Sequence, residues 1–257
     1  MALHLVAPVP RPPHQSEKTF VTILPDGSRS EKKQLPCWID KWSAEKEVAK
    51  RKGASPAEGV RIEPAELFIS VVVPAYNEEE RLAGMLEEAV AYLQEKYGDA
   101  HGAKKGGNAK GWEIIIVSDG SIDRTVNVAL DFAREHQLSQ HPVPVPGPRT
   151  PKPTTSTHIP HGSIRVVELE KNRGKGGAVT HGMRHVRGQY VVFADADGAS
   201  RFSDLGKLIE GCQAVEDKQG RGVAIGSRAH LVGSEAVVKV CMHPILANSP
   251  SLFPCLV

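Results

Sequence analysis

A chain of 257 residues, 40% of them hydrophobic, is long enough for one large α/β domain or two small ones with a sizeable core. Its formal net charge of +2, without a dense basic patch, makes no case for nucleic acid as a partner. The four cysteines, Cys37, Cys212, Cys241 and Cys255, form no C-x-x-C pair; they resemble neither a zinc site nor a disulfide framework, and a reducing compartment fits them better.

In chain order, Pro8, Pro10, Pro12 and Pro13 interrupt any apolar start of the kind a secretory signal needs. Residues 1–65 are rich in Pro and charge and read as a loosely ordered arm, in which Lys41 to Lys52 could form a short polar helix. From Phe68 the pattern alternates between strand and helix, the mark of a parallel sheet in a three-layer α/β domain over residues 66–228. Ile69 to Val73 is the first strand, stopped by Pro74, and the apolar run from Leu67 is too short to span a bilayer, so the chain itself reads as soluble. Asn77, with Glu80 three residues on, makes a capping-box-like start. Leu82, Met85, Leu86, Ala89, Val90 and Leu93 then keep helical spacing.

Ile114 to Val117 is the second strand, followed by a helix from about Asp123 to Glu135. Ile164 to Leu169 is the third, and Ala178, Val179, Gly182, Met183 and Val186 stripe the helix after it. Tyr190 to Ala194 is the fourth, with Leu205, Leu208, Ile209, Cys212 and Val215 on the next helix and Gly222 to Ile225 as a fifth strand. Two inserts, Gly98 to Gly111 and Gln137 to Gly162, read as solvated loops. The scattered His141, His158 and His161 in the second are better taken as solvated than as a metal cluster. Residues 229–257 form an atypical tail, broken by Pro244, Pro250 and Pro254.

The chemistry gathers at the strand ends, the edge where open α/β sheets bind ligands. The fourth strand closes on Asp195-Ala196-Asp197-Gly198. Two carboxylates there suit a hard divalent cation such as Mg²⁺ or Mn²⁺, which often holds a phosphate as well. An isolated D-x-D more often only turns the chain. The first strand leads into Pro74-Ala75-Tyr76-Asn77-Glu78, where Tyr76 offers a ring to stack on a base and Glu78 an acceptor near a helix start. An ordinary strand-to-helix turn with an acidic first turn is the plain alternative. In Ser118-Asp119-Gly120-Ser121-Ile122-Asp123, Asp119 could accept the imide N–H of a uracil, and Gly120 lets the backbone pass close to a ligand. A turn role fits Asp119 equally well, and Asp123 is most simply an N-cap.

The third strand leads to Lys171-Asn172-Arg173-Gly174-Lys175-Gly176-Gly177-Ala178. Val179 breaks the dinucleotide fingerprint and Gly176 breaks the phosphate-loop pattern. What remains is two cations, Arg173 and Lys175, at a glycine-loosened helix start that favours an anion. Solvated cations on a flexible turn are the alternative, but they leave three glycines unexplained.

Taken in order, P-A-Y-N-E, S-D-G-S-x-D-x-T, N-R-G-K-G-G-A, D-A-D-G and Gly226-Ser227-Arg228 resemble the family 2 glycosyltransferases of the GT-A fold, over about residues 66–228. The likeness is to the branch that glucosylates dolichyl phosphate. Phe20 to Trp42 resembles the segment joining that family's membrane anchor to its catalytic domain. The resemblance implies a Rossmann-like α/β/α GT-A domain with a mainly parallel sheet, incomplete at its C-terminus. It implies UDP-glucose as donor, dolichyl phosphate as lipid acceptor and transfer with inversion, for N-glycan precursor assembly at the cytosolic face of the endoplasmic reticulum membrane. By the same likeness Pro74, Ala75, Tyr76, Glu78 and Asp119 would hold the uridine. Asp197, with Asp195 beside it, would hold the divalent metal on the diphosphate and serve catalysis, and Lys175 and Arg228 would touch phosphate or donor. The family continues past Gly-Ser-Arg with elements that cover the sugar and bind the lipid, a pattern from which residues 229–257 depart. The chain therefore reads as a truncated donor half, expected to bind donor and to transfer glucose poorly. Two readings compete: a nucleotide-sugar-binding remnant without turnover, and a Rossmann-like oxidoreductase, which the broken glycine fingerprint disfavours.

Overall fold

The computed structural model describes residues 12–51, 63–98, 111–139, 157–217, 220–226 and 239–242. A six-stranded sheet forms its middle layer, in the order β5 (Ile164–Glu168), β4 (Trp112–Ser118), β3 (Leu67–Ala75), β6 (Gly188–Phe193), β8 (Lys239–Met242), β7 (Val223–Ile225). The first four of these run parallel, and β8 is antiparallel to both its neighbours. The sheet is thus one strand wider than the sequence pattern suggests, because β8 falls in the segment set apart as an atypical tail.

Central parallel strands are buried on both faces and read as continuous apolar runs. Along β3, Ile69, Val71 and Val73 face a core shared with α2 (Leu82–Tyr97), α3 (Thr125–Leu138) and α5 (Leu205–Ala214). Val72 faces the opposite way, joining Ile115, Val117, Val167 and Val191 under α4 (Gly174–Met183).

Several expected boundaries move. Pro74 does not stop β3, which continues to Ala75 with Pro74 opposite Val117. Val72 O accepts from Ala194 N and Ala75 O from Asp119 N, so alternate residues bond to opposite neighbours. Pro74 therefore turns its nitrogen to the β6 side, where the ladder has already ended at Val72 and Phe193. Asn77 does not cap α2, which starts at Leu82; it adopts a left-handed φ of 54° and accepts the Ile122 N–H on Oδ1 at 3.0 Å.

The arm is ordered over its described part. Val21 bridges Val166 on the open side of β5, and Val21 and Ile23 enter the larger core while Leu35 enters the one beneath α4. An edge strand that would otherwise offer unpaired backbone is covered in this way. β1 (Thr19–Phe20) and β2 (Lys33–Gln34) make a small antiparallel ribbon, and α1 (Trp38–Arg51) is the expected polar helix. Composition conceals this order because Val21, Ile23 and Leu35 are separated by polar stretches.

Of the two inserts, residues 99–110 and 140–156, His141 included, lie outside the described residues, as do residues 243–257 of the tail. Gln137 is buried within α3 and Ile159 sits in the core, so the second insert begins later and ends earlier than expected. No helix among the described residues is long and apolar enough to cross a membrane.

Candidate functional site

The C-terminal ends of β3, β4 and β6 and the start of α4 open onto one cleft of about 270 Å³. It brings together Pro74, Ala75, Tyr76, Glu78, Asp119, Lys175, Asp195 and Asp197, with Asn172 and Gly174 completing the wall. Arg228 and Ser227 lie outside the described residues.

The loops after β3 and β4 are laced to each other. Glu78 N–H donates to Thr125 Oγ1 at 2.8 Å, Glu79 N–H to Asp123 Oδ2 at 3.2 Å, and Arg124 N–H to Glu79 Oε2 at 2.8 Å. This fixes the entry to α2, so Tyr76, 48% exposed, presents its ring at the cleft. Asp119 is buried where β4 ends, its N–H bonded to Ala75 O at 2.8 Å and its Oδ1 accepting Arg173 N–H at 2.7 Å. Burial raises its pKa above the ordinary value, against the lowering effect of the Arg173 and Gly174 N–H groups.

On the facing wall Lys175, in the first turn of α4, places its Nζ 2.6 Å from Asp195 Oδ1 beyond the end of β6. Asp197 is exposed and uses Oδ1 to accept the Ala199 N–H at 2.9 Å, so it both turns the chain and lines the cleft. Glu78 is raised by burial; Arg81, at 2.7 Å, opposes this, and the negative field of Asp197 adds to it. A cation in the cleft would relieve that crowding of carboxylates.

The donor set fits a hard divalent ion. Among the described residues no group of three His, Cys, Asp or Glu side chains converges on one point. One or two carboxylates that leave the rest of the shell to phosphate oxygens and water are how Mg²⁺ is usually held beside a phosphate. Asp197 and Asp195, both in the lining of the cleft, are the carboxylates that would make such a pair; in this structure Asp195 is paired with Lys175.

Arg173 departs from expectation. Instead of facing an anion beside Lys175, its guanidinium turns inward onto the fully buried carboxylate of Glu17. No local motif in the sequence marks Glu17, whereas Asn172 stands within N-R-G-K, the signal that points to it. Asn172 Oδ1 accepts the Gly174 N–H at 2.8 Å and shapes the cleft wall.

A family model described as "Glycosyl transferase family 2" matches residues 70–143 and 148–229. The chain is 34% identical over 248 residues to "Dolichyl-phosphate beta-glucosyltransferase" of Saccharomyces cerevisiae, covering 94% of this chain and 59% of that protein. Proteins of the same name from Drosophila melanogaster and Homo sapiens are 40% and 37% identical, over 71% and 63% of this chain and 47% and 41% of their own lengths. The chain thus spans about half the length of the curated relatives it matches. The family match sets aside the oxidoreductase alternative. Matched by the family model over more than half of its residues, the chain belongs to glycosyl transferase family 2.

Proposed function

We propose that this chain carries the donor site of a dolichyl-phosphate β-glucosyltransferase, binding UDP-glucose with a divalent cation and passing glucose to dolichyl phosphate with inversion, at the cytosolic face of the endoplasmic reticulum membrane. The observation that carries this reading is the meeting of Asp119, Lys175, Asp195 and Asp197 in one cleft at the C-terminal edge of a parallel sheet. The names of its relatives supply the substrate class.

In this reading Tyr76 stacks on the uracil and Asp119, tethered by the Arg173 N–H, accepts its imide N–H. Lys175 leaves Asp195 for the diphosphate, and Asp195 and Asp197 are then free to hold the cation. When bound, such a cation neutralises charge on the diphosphate and on the departing UDP. The acceptor is a phosphate monoester with a second pKa of about 6, largely dianionic at neutral pH, so the chain need not supply a general base. An acceptor oxygen bonds to C1 of glucose while the C1–O bond to UDP breaks, UDP leaving with the electron pair. One displacement turns the α-linked donor into a β-linked glucosyl phosphate.

Calorimetric titration with UDP, UDP-glucose, GDP-mannose and NAD, with and without Mn²⁺, tests the reading. UDP and UDP-glucose are expected to bind in the presence of Mn²⁺, and NAD is not. Asp197→Asn should weaken UDP binding at least tenfold, about 1.4 kcal/mol, and Asp123→Asn should do so far less. Equal losses from the two would remove Asp197 from the cation site. Labelled glucose appearing on a short dolichyl phosphate in detergent separates an enzyme from a binding remnant.

A further inference from the structure

Glu17 lies 156 residues from Arg173 in sequence, yet its carboxylate is fully buried against the loop that walls the cleft. Oε1 accepts the Glu170 N–H at 3.1 Å, while Oε2 accepts the His14 N–H at 2.7 Å and pairs with the Arg173 guanidinium. A buried carboxylate persists in charged form only when it is hydrogen-bonded and paired, as this one is. Burial acts to raise its pKa, but the His14 and Glu170 N–H groups and Arg173 outweigh it and hold Glu17 below the ordinary value. The Glu17 carbonyl, in turn, accepts from His181 Nε2 on α4 at 2.8 Å.

These contacts grip the 170–174 loop at two points, Glu170 N and the Arg173 side chain. The same Arg173 offers its backbone N–H to Asp119, and its two chain neighbours, Asn172 and Gly174, line the cleft. The apolar anchors of the arm, Val21, Ile23 and Leu35, lie elsewhere, so the carboxylate is not needed to fill a core.

We propose that Glu17 is a positioning residue of the donor site: acting through Arg173 and Glu170 it fixes the 170–174 loop, and with it Asp119, before the nucleotide arrives. This rests on the reading of the cleft as a uridine diphosphate site. A loop set in advance spares the ligand the cost of ordering it, which appears as affinity.

The test is calorimetric titration of the whole chain with UDP and Mn²⁺, each variant held well below its own melting temperature. Glu17→Gln is expected to weaken UDP about tenfold and to speed hydrogen exchange at the Arg173 and Gly174 amides. Arg173→Met should weaken it similarly, and the double variant should be no weaker than the weaker single, because the two act as one unit. Ile23→Val, a packing control in the same arm, should lower the melting temperature and leave UDP affinity within twofold. Wild-type affinity in Glu17→Gln, or losses in the two singles that multiply in the double variant, would overturn the proposal while leaving the donor site intact. Should Glu17→Gln not fold, unchanged affinity in Arg173→Met overturns it in the same way. Failure of the wild-type chain to bind UDP would instead bring down the donor-site reading, and this proposal with it.

Discussion

Gly120 shows how closely two loops pass at the end of a strand. It sits at a φ of 72°, and an added Cβ would lie 2.8 Å from the backbone nitrogen of Asn172. Gly120→Ala combines a left-handed strain with a backbone clash and should cost about 1–3 kcal/mol, measured by urea denaturation. Because Asn172 lines the cleft, UDP affinity should fall as well. Residues of this kind were legible in the sequence, since Tyr76, Asp119, Lys175, Asp195 and Asp197 all stand in short polar motifs that close apolar runs. Their partners were less so. Asp123 is not itself the N-cap of α3, which starts at Thr125; it accepts the Thr125 N–H at 2.9 Å and reaches across to Glu79 N. The inward turn of Arg173 could not be read at all, because a residue type carries a charge and no direction.

α4 shows the same limit one level up. Gly174, Gly176 and Gly177 at its start point to an anion without completing a phosphate loop, whereas Gly182, on the apolar stripe, has a packing reason. A Cβ there would meet Val72 Cγ1 at 2.5 Å, so the helix lies directly on the sheet. Such close seating also encloses His181 and, just past the helix, His185, which donates from Nδ1 to Pro36 O at 2.7 Å. Burial pushes the His185 pKa down to about 4; the Pro36 carbonyl opposes this, and His181 and Arg165 add to it. An unfolded histidine titrates near 6.5. Between these values the unfolded chain takes a proton that the folded chain refuses, so stability is full above pH 6.5 and declines as pH falls toward 4. The slope is about 1.4 kcal/mol per pH unit, up to about 3 kcal/mol in all. Urea midpoints at pH 7 and pH 5 should show this loss, and His185→Asn should reduce it. Strand β8 was missed for a related reason. Lys239-Val240-Cys241-Met242 is only four residues long, and its place between β6 and β7 is set by partners distant in sequence.

Across the molecule the two edges of the sheet do different work. The C-terminal edge gathers the cleft. Near the opposite edge Glu113, fully buried, accepts from Ser70 Oγ at 2.6 Å and pairs with Arg165 at 2.6 Å and Arg187 at 2.8 Å. Despite the opposing effect of burial, the two guanidinium groups and Ser70 hold its pKa below the ordinary value. Removing one partner of a buried pair typically costs about 3–5 kcal/mol. Glu113→Gln should therefore lower the unfolding free energy by that order, with UDP affinity unchanged wherever the variant remains folded. Comparing urea denaturation with calorimetry would separate the two effects.

The docking of the arm along β5 also sets an order of events during synthesis. Thr22 donates its hydroxyl to Ile164 O, a residue 142 positions later, and Val21 bridges Val166 beside it. At about 5–20 residues per second, the ribosome makes the arm on the order of ten seconds before the strand that receives it. During that interval Val21, Ile23 and Glu17 have no native seat, and the pairing of Glu17 with Arg173 must wait on a long-range closure between the first-made and later-made parts of the domain. A translational pause between the two segments would lengthen that exposure.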